Sequence, residues 1–174
     1  MSYLDDPKLL ERLRAGFRAT PLHALLGLEY LDETTDPAGP GDPVGSAADG
    51  WAVVSMPVRE EAYGTTGSLH GGAIATLLDV VCASAAARAS GFEPGVNSLV
   101  TADLHVRYLG RPHGDVVYGR ARVLKAGKQL VVVDGRVTDG EGRTIAAADF
   151  SSMLVPRRGP LPGVTPVEPL GPET

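Results

Sequence analysis

A glycine-flanked turn, Gly67-Ser68-Leu69-His70-Gly71-Gly72, runs straight into Ala73–Ser90, a stretch with no glycine or proline in it. Alanine, the best helix former, takes seven of those positions, and Gly91 supplies a stop, so the pattern predicts a helix over about residues 71–90. At about 1.5 Å per residue that helix is about 30 Å long, the width of a small domain. It is apolar on nearly every side, which predicts burial all round. Two features do not belong in a plain core helix. Gly71 and Gly72 weaken its first turn but let a backbone or ligand come close. Asp79 stands mid-helix among Leu77, Leu78, Val80 and Val81, where a buried carboxylate needs a partner, a raised pKa or a ligand.

The first amides of a helix lack internal partners and lie at the positive end of its dipole. With glycines at 71 and 72 they are open to a developing oxyanion, as acyl-transfer chemistry requires. The plain alternative is that the glycines only permit tight packing and Asp79 is a satisfied structural carboxylate. His70 and Asp79 lie nine positions apart, about 13 Å along one helix axis. One helix therefore cannot bring its own N-terminal amides and its own Asp79 to one reacting group. Two antiparallel copies about a two-fold axis can, with the small residues Ala75, Ala83 and Ala86 permitting close approach.

Around this helix the chain reads as α+β. Leu9, Leu10, Leu13 and Phe17 recur at helical spacing over residues 7–19, and Pro21 opens a short turn of helix stopped by Gly27. His23 there reads as a surface residue, since no second ligand stands at metal spacing. Strands are predicted over 28–31, 51–56, 96–108, 116–125, 130–138 and 144–155, with Asp139-Gly140-Glu141-Gly142 a hairpin signal. In the long strand, strict alternation sets Val100, Ala102, Leu104, Val106 and Tyr108 on one face, and Thr101, Asp103, His105 and Arg107 on the other. Residues 36–49 read as an exposed loop. The organisation is thus a helical extension over 1–27, a main domain over 28–155 and a proline-rich, solvated tail over 156–174.

Gly-Ser-Leu-His-Gly-Gly-Ala followed by Leu-Leu-Asp, with the acid nine residues after the histidine, resembles the hotdog-fold acyl-CoA thioesterases. The type it is most similar to is the phenylacetate-pathway and 4-hydroxybenzoyl-CoA group. Asp103-Leu104-His105-Val106-Arg107-Tyr108-Leu109 and Leu124-Lys125-Ala126-Gly127-Lys128-Gln129 extend the resemblance, which spans about residues 50–155. It implies a curved antiparallel sheet wrapped round one long helix, working as a homodimer or homotetramer on CoA thioesters. It implies the Gly71 amide as main carbonyl donor, Gly72 beside it, and Asp79 as nucleophile or as base for water. His70 then orients the carbonyl through a ring nitrogen or braces the turn. Thr101 falls where relatives carry a Ser or Thr near the acid, against the alternation above. Many relatives place Asn or Gln six residues before the histidine; here that position is Gly64, with Thr65 or Thr66 as hydroxyl substitutes. Arg111, Gly127 and Lys128 are the implied CoA contacts, although a solvated charge is the commoner fate of any single Lys or Arg.

No metal or bound cofactor is implied, coenzyme A being part of the substrate. A net charge of −5 argues against nucleic acid as a partner. No apolar run is expected to span a membrane, and the Met1 end, with Asp5 and Asp6, does not read as a signal peptide. A single cysteine, Cys82, is expected as a small core residue and fits the cytoplasm. Two rivals are a non-catalytic acyl-CoA-binding sensor, which Gly64 would suit, and a hotdog dehydratase or hydratase. The first normally needs a DNA-reading segment longer than the Leu9–Phe17 helix. The second needs a histidine placed at a β-hydroxyacyl carbon.

Overall fold

The computed structural model describes residues 7–31, 50–93, 95–157 and 159. The predicted 36–49 loop, and all but the first residues of the predicted tail, lie outside them. Helices α1 (Pro7–Ala19) and α2 (Pro21–Leu26) precede strands β1 (Glu29–Leu31) and β2 (Trp51–Pro57). A 3-10 turn at Glu60–Ala62 leads to α3 (Gly71–Ala89), followed by β3 (Asn97–Tyr108), β4 (Val116–Ala126), β5 (Leu130–Asp139) and β6 (Thr144–Pro156). The six strands form one sheet in the order β1-β2-β4-β5-β6-β3, every neighbour antiparallel.

α3 packs on one face of this sheet, against Val54 and Met56 of β2, Val117 and Ala121 of β4, Val133 and Val137 of β5, and Phe150 of β6. Glycines set the separation. A Cβ at Gly119 would lie 2.9 Å from Leu77 Cγ, and one at Gly135 only 2.6 Å from Cys82 Sγ. Gly50, at φ 73°, makes room in the same way where the end of α3 meets Val123.

Four expectations need correction. α3 is not buried all round: Ala73, Ile74, Leu77, Leu78, Val81, Cys82, Ala85 and Ala86 face the sheet, while Ala75, Thr76, Asp79, Val80, Ala83 and Ser84 are half-buried. Ala86 is therefore spent on the chain's own core and cannot face a second helix; Ala75 and Ala83 can. α3 is also, by length and composition, apolar enough for a membrane span, which its contact with the sheet explains as the mark of a core helix. His23 is half-buried rather than a surface residue, its Nδ1 3.0 Å from the Phe17 carbonyl oxygen and its ring 4.3 Å from the Phe17 ring.

The hairpin signal at Asp139 has a second role. The Asp139 side chain is inaccessible to solvent. It accepts N–H bonds from the backbone of His113, Glu141 and Arg143 and from the Arg143 guanidinium at 2.7 and 3.0 Å. Burial pushes the carboxyl up; the Arg143 side chain and the three amides outweigh it and hold it at about 2. One carboxylate thus ties the β5–β6 turn to the loop before β4.

Because the folded carboxyl is depressed, its contribution is present above the unfolded value of 3.8 and is lost as pH falls through about 2. Asp139→Asn should cost about 2 kcal/mol at neutral pH, and urea melts of the two proteins should converge as pH drops toward 2. Gly135→Ala should cost roughly 1–3 kcal/mol by overpacking, and adding Cys82→Ala should recover most of it in the same melts.

Candidate active site

The turn before α3 is closed from within. Gly64 N–H donates to the Ser68 carbonyl at 2.8 Å, Gly67 N–H to Gly64 at 3.1 Å, and His70 N–H to Ala62 at 2.8 Å. Leu69 is buried beneath it. This delivers His70 as the N-cap of α3, in extended backbone, its Nδ1 accepting the Gly72 N–H at 2.8 Å. Histidine is not among the favoured caps, so the reading of residues 71–90 supplied a helix start without a cap. Nδ1 can accept only if the proton of the neutral ring sits on Nε2, and Nε2 has no hydrogen-bond partner among the described residues. Bracing the turn is therefore one role His70 has. Gly64 leans on the same ring: a Cβ there would stand 3.3 Å from His70 Cδ2. Thr65 is exposed in the turn. The Gly71 N–H has no hydrogen-bond partner among the described residues.

The acid has a partner. Thr101 Oγ1 donates to Asp79 Oδ1 at 2.7 Å. Strict alternation had set Thr101 on the far face, and a β-bulge is the reason it is not there. Thr101 pairs with Ser152 and Asp103 with Ser151, leaving Ala102 as an extra residue. The phase of β3 changes at that point. Leu99 lies on the helix side with Thr101 before it, and Leu104 and Val106 after it. Val100 faces away. Asp79 is half-buried rather than sealed in the core, which lowers the cost of its charge. Cys82, one turn on, is fully buried, and its thiol is pushed up by burial and then by the Asp79 and Asp134 charges, so it is no nucleophile.

Tyr108, the last residue of β3, was not singled out from sequence, where it read as one more apolar position in an alternating strand. Its hydroxyl donates to the Gly71 carbonyl oxygen at 3.0 Å. The helix start and the acid are thus both held by β3, one from its last residue and the other from near its middle. Within one chain they remain eight residues apart along α3, about 12 Å.

The charged candidates separate. Arg111 is exposed in the loop that follows β3, near the Gly71 end. Lys128 is exposed in the β4–β5 hairpin at the opposite end of the sheet. Gly127 closes that hairpin by donating to the Leu130 carbonyl at 2.9 Å, and a Cβ there would meet the same oxygen at 2.9 Å. Among the described residues no group of three or more His, Cys, Asp or Glu side chains could hold a metal ion.

Residues 66–146 match the model of the Thioesterase superfamily. Human acyl-coenzyme A thioesterase 13 is 34% identical over 111 residues, 63% of this chain and 76% of that protein. A thioesterase family protein from Silicibacter pomeroyi is 26% identical and superposes with a TM-score of 0.66, covering 85% of this chain and 98% of its own. A Bacillus halodurans protein crystallised with CoA is likewise 26% identical at a TM-score of 0.66, over 90% of this chain and 91% of its own.

The cap itself is testable by stability. His70→Ala should lower it by about 1 kcal/mol, while His70→Asn, which also presents an acceptor to the first turn, should keep most of it. Thermal melts of the two variants beside the parent decide this.

Proposed function

Because the chain belongs to the thioesterase superfamily, we propose that it hydrolyses acyl-CoA thioesters to a carboxylic acid and free CoA at a site shared between two subunits. One observation carries this reading: an open helix N-terminus at Gly71 and a threonine-held carboxylate at Asp79 share one helix and one edge strand, yet lie too far apart to meet on one substrate.

The edge strand supplies the remedy. Among the described residues β3 is paired only with β6, so one side of a twelve-residue strand offers a row of backbone donors and acceptors to another strand. Two β3 edges pairing antiparallel about a two-fold axis between Leu104 and His105 set Thr101 and Asp79 of one subunit opposite the partner subunit's Tyr108 and Gly71. The half-buried stripe of α3, with Ala75 and Ala83, then lies toward the partner subunit's helix. The same operation turns the Lys128 hairpin of one subunit and the partner subunit's Arg111 toward the same end. That suits two cations meeting the phosphates of one CoA.

In the reaction the thioester carbonyl oxygen gathers negative charge as the carbon becomes tetrahedral. The Gly71 N–H and the dipole of α3 meet that charge. Asp79 of the other subunit either attacks the carbon itself or takes a proton from the attacking water. In both cases the Thr101 hydroxyl fixes one carboxylate oxygen and leaves the other free to act. Collapse of the tetrahedral species expels the CoA sulfur as thiolate, which takes its proton from the Asp79 carboxyl in the base route or from water in the other; where Asp79 itself attacked, water then hydrolyses the acyl–aspartyl anhydride to the acid and restores the carboxylate. The groups drawn on belong to the chain, and coenzyme A enters only as part of the substrate. The lone buried cysteine suits action in the reducing cytoplasm.

Asp79→Asn should retain the fold and lose most turnover, read by thiol release from short-chain, long-chain and aromatic acyl-CoAs. Asp79→Ala and Gly71→Val homodimers should each be nearly inactive. Refolded together, they should give heterodimers with one intact site of two and regain activity. Isolated heterodimers as inactive as both parents would rule out the shared site.

A further inference from the structure

We propose that Tyr108 is a positioning residue for the carbonyl-binding end of this site, acting through the Gly71–Gly72 peptide; the proposal rests on the thioesterase reading above. That peptide is held at both of its polar ends. Its carbonyl oxygen accepts the Tyr108 hydroxyl at 3.0 Å, and its N–H donates to His70 Nδ1 at 2.8 Å. The phenol ring also stands against the glycine, 3.4–3.5 Å from where a Cβ at Gly71 would be. The chain of groups is therefore Tyr108 hydroxyl, peptide, imidazole, each polarising the next.

The clamp answers a specific weakness. Gly71 and Gly72 are adjacent and carry no side chains, so the first turn of α3 is the part of the helix with most freedom to reorient. The Gly71 N–H on which the oxyanion depends is one bond from that freedom. A donor must be aimed at the place where charge develops, and a small misplacement is costly in rate. The end of β3, where Tyr108 pairs with Ala146 of β6, is a stiffer base than the glycines themselves. Space-filling does not explain the phenol, since a phenylalanine ring would fill the same room and the hydroxyl is aimed at the Gly71 carbonyl oxygen. The bond to His70 Nδ1 extends the effect, because it keeps the imidazole proton on Nε2.

Tyr108→Phe keeps the ring and deletes only the hydroxyl. With the acyl-CoA turned over best by the parent, kcat should fall about tenfold, the worth of one lost hydrogen bond. KM should stay within about twofold and the melting temperature should be nearly unchanged. In ¹⁵N-labelled protein the Gly72 amide and the His70 ring nitrogens should shift together, which a space-filling role would not produce. A parental kcat in the variant, or a loss of kcat matched by loss of stability, overturns the proposal. If the parent releases no thiol from any acyl-CoA, the thioesterase reading has failed. The nitrogen shifts then decide alone: unmoved Gly72 and His70 resonances in Tyr108→Phe overturn the clamp, and a joint shift upholds it.

Discussion

Gly119 and Gly135, on neighbouring strands, let α3 lie against the sheet at a distance that any side chain would prevent. A Cβ at either would intrude on Leu77 or Cys82 at under 3 Å. At that separation the inward face of α3 meets small and branched residues of four strands at van der Waals distance, and many weak contacts sum to a firm anchor. One face is then enough to hold the helix. The other face is released from core duty, and it is there that Asp79 stands. A helix set farther out would need larger side chains around its girth and would bury the acid among them.

The same approach decides what the edge strand can reach. With α3 close in, β3 hydrogen-bonds to it through Thr101 on Asp79 and through Tyr108 on Gly71. The bulge at Ala102 makes both contacts compatible with one strand. In a regular strand with no bulge, Thr101 and Tyr108 would fall on opposite faces of the sheet, because their positions differ by an odd number. The bulge thus supports two separate parts of the site at once.

Much of this was legible in the residues. Element boundaries followed from periodicity and from Gly and Pro punctuation, and the helix carrying Asp79 announced itself by its alanines. What was hidden has a common cause, that long-range geometry overrode a local rule. A bulge leaves no sequence mark when its extra residue is an alanine, so alternation gave the wrong face for Thr101. His70 as a cap lies outside the usual set of capping side chains. Tyr108 looked like a strand residue because its bond to Gly71 crosses between residues 37 apart in sequence. Ala86 and Ala83 are both alanines at plausible helical positions, and only the placement of the sheet tells which of them faces inward. The open stripe of α3 was read as core because apolarity alone does not say whose core a face belongs to.

The order of strands carries a consequence for biosynthesis. β3 follows α3 in the chain, yet its neighbour in the sheet is β6, the last of the described strands to leave the ribosome. Until residues 144–156 have emerged, β3 has nothing to pair with inside its own chain. Thr101 and Tyr108 then have no fixed strand from which to reach the helix. Non-local pairing of this kind is slow and comes late. A nascent or prematurely terminated chain therefore carries the glycine turn and the acid without the strand that aligns them. Competence is conferred by β6, so that only chains translated past it acquire it.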